Sequence, residues 1–214
     1  MTASTITPRA RLIFPLLVPD ATAARQLVEQ LGDSVTFYKI GLELMAAGGY
    51  FELVDWLLQR NKKVFADLKL FDVPATVSRA VSLLANRGIT FATVHGNQGI
   101  MEAAAAAKGE LKILAVTVLT SLDRGDLDDL GFKCDVEALV LSRARRALEA
   151  GCDGVVASGL ELPAMRRAID SRLLVVPPGI RPVEHRPSDD QKRVVTVEQA
   201  FADGANSSVV GRPI

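Results

Sequence analysis

Short apolar runs alternate with amphipathic segments along all 214 residues of this chain, and that alternation limits the folds open to it. The runs expected as strands are Leu12 to Val18, Val35 to Ile40, Lys63 to Lys69, Ile89 to His95, Leu111 to Leu119, Gly154 to Ala157, Leu173 to Val176 and Ser207 to Val210. Between them, helices are expected over Ala21 to Leu31, Tyr50 to Arg60, Pro74 to about Asn86, Gly99 to Lys108, Val136 to Ala150, Leu162 to Ile169 and Val197 to Ala202. Thr120 to Phe132 reads as a polar loop, and Gly179 to Lys192 as a polar loop longer than an ordinary connection. Strands separated by helices point to an α/β parallel sheet. An open doubly wound sheet usually opens with a glycine-rich first turn, and no G-x-G-x-x-G follows the first strand. Eight evenly spaced strands fit a (β/α)8 TIM barrel better. No linker or compositional break divides the chain, so residues 1–214 read as a single domain. The chain stops at Arg212-Pro213-Ile214, directly after the last strand, where a complete barrel carries another helix. Either that last helix is lacking or an N-terminal segment covers the edge.

In such a barrel the chemistry lies at the C-terminal ends of the strands. Polar residues stand at those ends here: Lys39, Asp67 with Lys69, His95, Thr120 with Ser121, Ser158 and Arg212. The third strand is the most informative. Side chains alternate across a strand, so Phe65, Asp67 and Lys69 share a face that turns from apolar to doubly charged. Buried charges are costly unless paired, which favours a site at the strand mouth, an ion pair on an exposed strand end being the plain alternative. Asp72 follows, and Pro74 fits the first turn of a helix.

Composition narrows the chemistry. Net charge is +0 and aromatic residues are 5 % of the chain, so neither a basic nucleic-acid surface nor a base-stacking platform is expected. No apolar run approaches a membrane span, and the N-terminus lacks the long apolar stretch of a signal peptide. Two cysteines, Cys134 and Cys152, without metal-like spacing suit a reduced, cytoplasmic setting. They read as structural. His95 reads as a hydrogen-bonded barrel residue, and Met45, Met101, Met165 and Trp56 as packing residues.

Lys39, Asp67, Lys69 and Asp72 place charges of alternating sign in one pocket. An ammonium beside a carboxylate is a proton donor, and a fixed carboxylate repels a substrate anion. The set suits a reaction that makes and then protonates a carbanion. It suits a metal poorly, because two lysines compete with the cation. At the last strand, Gly211 allows close backbone approach and Arg212 offers a fork of donors matched to phosphate. Barrels often hold phosphate beside strands seven and eight, and the Gly179 to Lys192 loop, which carries Gln191, could close over a ligand.

The D-x-K-x-x-D spacing of Asp67, Lys69 and Asp72, followed by Val73-Pro74, resembles orotidine 5′-phosphate decarboxylase. So do FYKIGLEL around Lys39, VTVLTSLD around Ser121, PPGIRP around Pro178 and Arg181, DDQKR around Gln191, and VVGRPI around Arg212. These motifs cover nearly the whole chain in order, although D-x-K-x-x-D alone is shared with sugar-phosphate decarboxylases of the same barrel group. The resemblance implies a decarboxylase that needs no cofactor, converts orotidine monophosphate to UMP and binds neither nucleic acid nor membrane. It implies that Asp67 sits by the leaving carboxylate, Lys69 protonates the C6 carbanion, and Lys39 holds the ribose and orders the charges. Ser121 would contact the pyrimidine and Gln191, Gly211 and Arg212 the phosphate, with Pro178 and Arg181 of the PPGIRP motif as further substrate-binding residues. The family is usually dimeric, and Asp72 with Thr76 would reach into the partner's site.

The chain departs from the family's pattern in places. The usual Ala-Leu-Asp ending the first strand is here Pro15-Leu16-Leu17, and a leucine cannot accept a ribose hydrogen bond. Strand parity puts Pro15 and Leu17 toward the ligand, and a proline costs a strand one ladder donor. Ala75, Gln98 and Pro177 differ as well. Two expectations follow: a working decarboxylase, or a barrel of this ancestry rebuilt for another ligand or another proton transfer.

Overall fold

Two separate apolar clusters, one inside a ring of strands and one outside it, set the architecture. The computed structural model describes residues 11–180 and 195–211. Among these, the strands are β1 (Leu12–Pro15), β2 (Phe37–Gly41), β3 (Lys63–Leu70), β4 (Phe91–His95), β5 (Lys112–Val116), β6 (Gly154–Val156), β7 (Leu174–Val175) and β8 (Ser208–Val209). The helices are α1 (Ala21–Leu31), α2 (Leu42–Ala47), α3 (Tyr50–Gln59), α4 (Pro74–Ala85), α5 (Gln98–Ala107), α6 (Arg124–Asp129), α7 (Val136–Glu149), α8 (Leu162–Ala168) and α9 (Val197–Ala202). The strands pair in parallel in the order β7-β6-β5-β4-β3-β2-β1-β8, which is a (β/α)8 TIM-barrel order.

Inward-facing Ile13, Phe37, Phe65, Phe91, Leu114, Val176 and Val209 fill the barrel. Phe91 packs against Phe37 and Phe65 with ring centroids 5.2 and 5.8 Å apart. Residues of opposite parity, such as Val64, Ala66, Ala92, Ile113 and Val155, face the helices instead. Gly154 shows how tight the interior is: a Cβ there would lie 2.8 Å from the Leu114 side chain and 2.5 Å from the Leu174 carbonyl oxygen.

The β7–β8 seam is closed by individual bonds. Asn206 N–H donates to the Val175 carbonyl and Val209 N–H to the Pro177 carbonyl, both at 3.1 Å. Asn206 Oδ1 accepts from Val175 N at 2.9 Å and from Arg166 at 2.7 Å. Arg166 also donates to the Gly204 and Leu173 carbonyls. A guanidinium thus substitutes for ladder where the last strands are shortest.

Local signals account for most element starts. Asp20, Asp135 and Thr196 cap α1, α7 and α9 through their side chains, and Pro74 opens α4. The expected polar loop Thr120 to Phe132 contains a helix, α6, because Asp123 and Asp126 form a reciprocal capping box. The first strand stops at Pro15 rather than Val18. The β1–β8 ladder already ends at Ile13–Val209, so the proline closes the strand instead of interrupting it. Met101 and Met165 are buried, but Met45 is exposed on α2 and is not a core residue.

Replacing Asn206 by alanine removes an acceptor shared by Val175 N–H and Arg166. The unfolding free energy in urea should fall by about 1–3 kcal/mol, the cost of leaving partly buried donors unmet. An unchanged midpoint would show that the seam does not depend on this side chain.

Candidate active site

The inner face changes from apolar to charged one step above the phenylalanine layer. Lys39 follows Phe37 on β2, Asp67 follows Phe65 on β3, and Thr93 follows Phe91 on β4. Lys39 Nζ lies 2.9 Å from Asp67 Oδ2, and Lys69 Nζ lies 3.0 Å from Asp67 Oδ1. The Thr93 hydroxyl donates to Asp67 Oδ1 at 3.0 Å. The Asp67 side chain is 12 % exposed, whereas that of Lys69 is 34 % exposed. Desolvation pushes the Asp67 carboxyl up, but attraction and hydrogen bonds from Lys39 and Lys69 outweigh it and hold the carboxyl below its ordinary 3.8. Burial and charge pairing therefore leave an ionised carboxylate gripped from two sides, with one ammonium partly open.

Lys69 does not reach this place by simple alternation. Its backbone has φ +47°, in the left-handed region, where a side chain costs about 1–2 kcal/mol. The β3–β4 register shifts between Ala66 and Leu70, and Lys69 N–H donates to Thr93 Oγ1 at 2.9 Å. Thr93 was not among the residues singled out from sequence. Its signal was its parity with Phe91 and His95 on the inward face of β4.

A cavity of about 350 Å³ opens above these groups. Lys39, Asp67 and Lys69 meet it on one side, and Pro15, Phe65, Val116, Val156 and Val209 give it apolar walls. Thr120, Ser121, Pro178, Gly179 and Gly211 also line it. Of the residues expected from sequence, Lys39, Asp67, Lys69, Ser121, Pro178 and Gly211 are brought together here. Asp72 is exposed, its Oδ1 accepting from Val73 N at 2.6 Å, and Thr76 accepts from Arg79 at 3.3 Å. Neither lines this chain's cavity. Arg181, Gln191 and Arg212 lie outside the described residues.

Pro15 and Leu17 both line the cavity, as strand parity implied, and Leu17 is 55 % exposed. The tight approach at Gly211 is to Pro15: a Cβ would stand 2.7 Å from Pro15 Cγ. Ala75, Gln98 and His95 are not part of the lining. His95 stacks on Phe71 at 4.4 Å, with Nδ1 2.9 Å from Asn97 Oδ1. Cys152 is buried, and burial pushes its thiol up to about 12, which suits a packing role. No helix among the described residues is long and apolar enough to cross a membrane.

The profile of the orotidine 5′-phosphate decarboxylase / HUMPS family matches residues 10–214. The chain is 69 % identical over 204 residues to an orotidine 5′-phosphate decarboxylase of Methylococcus capsulatus, covering 95 % of this chain and 84 % of that protein. It is 50 % identical over 206 residues to one from Stenotrophomonas maltophilia, covering 95 % and 85 %. The crystal structure of orotidine 5′-phosphate decarboxylase from Lactobacillus acidophilus superposes with a TM-score of 0.83 at 33 % identity, over 95 % of this chain and 90 % of that one.

The depressed Asp67 value has a sign that can be measured. Its ionisation stabilises the folded chain above 3.8, and that contribution is lost as pH falls below 3.8 through the lower folded-state value. The stability of the unaltered chain relative to Asp67→Asn should be level at higher pH and decline below 3.8. A relative stability that rises on acidification would mean that burial, not the lysines, dominates the carboxyl.

Proposed function

The chain belongs to the orotidine 5′-phosphate decarboxylase / HUMPS family, and from that premise we propose that it releases CO2 from orotidine 5′-phosphate to give UMP, without a cofactor. The observation that carries this reading is the Lys39–Asp67–Lys69 array opening into an apolar cavity. Asp67 supplies a fixed negative charge beside the substrate carboxylate. The C6–carboxylate bond breaks, its electron pair stays on C6, and CO2 departs. Lys69 gives a proton to C6 and regains one from water. Its partial exposure to the cavity supports that role. The apolar walls keep water away, which strengthens every charge interaction inside. Relatives at up to 69 % identity carry the decarboxylase name and favour this reading over a barrel rebuilt for another ligand.

Lys39 orders the charges and holds the ribose, and Ser121 contacts the pyrimidine. Gln191, Gly211 and Arg212 bind the phosphate, and Pro178 and Arg181 are further substrate-binding residues. Residues 1–214 act as one domain, in the cytoplasm. The working form is a homodimer in which Asp72 and Thr76 enter the partner's site. Two large apolar side chains exposed on either side of Asp72 in the chain support such an interface: Phe71 and Val73.

Orotidine monophosphate turnover tests the reading. Lys69→Ala should abolish it with folding intact, because alanine cannot supply the proton. Leu17→Asp should raise kcat/KM roughly tenfold, as a regained hydrogen bond of about 1.4 kcal/mol would. No conversion by either the unaltered chain or Leu17→Asp would remove the decarboxylase assignment. For assembly, light scattering at micromolar concentration should give twice the mass of one chain. A monomer would remove the shared-site proposal.

A further inference from the structure

One buried hydroxyl connects the two halves of the charged array. β3 and β4 pair through Phe65–Phe91 and Ala66–Ala92, and the next pair is Leu70–Val94. β3 therefore advances from Ala66 to Leu70 while β4 advances only from Ala92 to Val94. Lys69 lies in that slack, with its backbone in the left-handed region. Its N–H is bound at 2.9 Å by Thr93 Oγ1, and the same hydroxyl gives its proton to Asp67 Oδ1 at 3.0 Å. Thr93 is fully buried and does not line the cavity. A buried threonine hydroxyl commonly bonds to backbone close by in its own chain segment. Here both bonds cross to the neighbouring strand and end on the two residues of one ion pair.

We propose that Thr93 is a positioning residue, whose hydroxyl fixes the Lys69 backbone against the Asp67 carboxylate and so aims the Lys69 ammonium into the cavity. Its consequence for turnover rests on the decarboxylase reading; the contact itself does not. Without the hydroxyl, Lys69 N–H has no partner at the bulge. The left-handed turn relaxes, and the ammonium moves away from the carboxylate that orients it. Ground-state binding of the substrate, which Thr93 does not touch, is left nearly as it was. The loss therefore falls on kcat.

The test compares Thr93→Val, which keeps the branched shape and removes the hydroxyl, with Thr93→Ser, which keeps the hydroxyl. Turnover of orotidine monophosphate and amide hydrogen exchange at Lys69 are read for both and for the unaltered chain. In Thr93→Val, kcat should drop about 10- to 100-fold, the scale of an ångström-sized misplacement, with KM changed less than about twofold. Thr93→Ser should stay within about threefold of the unaltered chain, well inside the tenfold that 1.36 kcal/mol represents. Exchange at Lys69 should be fast in the valine variant and slow in the other two. An unchanged kcat in Thr93→Val, or an equal loss in both variants, would overturn the proposal. If the unaltered chain has no turnover, the decarboxylase reading fails and the exchange comparison decides Thr93 alone. Slow exchange at Lys69 in Thr93→Val would then refute the contact, and fast exchange there with slow exchange in Thr93→Ser would uphold it.

Discussion

A carboxylate taken out of water stays ionised only where opposite charge and hydrogen-bond donors replace its hydration, and Asp67 is held on those terms. Removing an ion from water costs several kcal/mol even in a relaxed protein interior. Lys39, Lys69 and Thr93 meet that cost from β2, β3 and β4. Three neighbouring strands must therefore be in the right register for the site to exist. Phe37, Phe65 and Phe91, one step below on the same strands, form the apolar layer on which the charges stand. The fold and the chemistry share this one layer boundary.

Much of that arrangement is legible from sequence because the period of a strand is strict. The run from Lys63 to Lys69 states its own polarity: apolar low in the barrel, charged at the mouth. Pro15 and Leu17 were placed toward the ligand by the same rule, and both line the cavity. The rule breaks at Lys69, because alternation assumes an unbroken ladder, and the register shift that turns this residue is a property of two strands together. Thr93 was missed for the same reason. A threonine in FATVH looks like an ordinary strand residue until its neighbour is known. The helix in the Thr120 to Phe132 stretch was legible in principle, since Asp123 and Asp126 have capping-box spacing, but the glycine and aspartate content favoured a loop. The side-chain closure of the β7–β8 seam by Arg166 and Asn206 depends on tertiary contacts between segments about 40 residues apart in sequence.

Pro15 and Leu17 have definite places in the fold. Pro15 ends β1 beyond its ladder with β8 and fills the space that Gly211 leaves open. The ring is accommodated without interrupting the barrel. Leu17 stands at the open side of the cavity, where a short acidic side chain would offer an acceptor and leucine offers none. Lys39, Asp67 and Lys69 keep their ion pairs beside both residues.

The most direct measurement follows the hydrogen delivered to carbon. With orotidine monophosphate in deuterium oxide, the Lys69 ammonium exchanges its protons for deuterons before turnover. UMP should carry deuterium at C6, seen as loss of the H6 resonance in the proton NMR spectrum, if a Lys69 deuteron is delivered to the carbanion. Recovery of unchanged orotidine monophosphate, or of UMP carrying protium at C6, would contradict it.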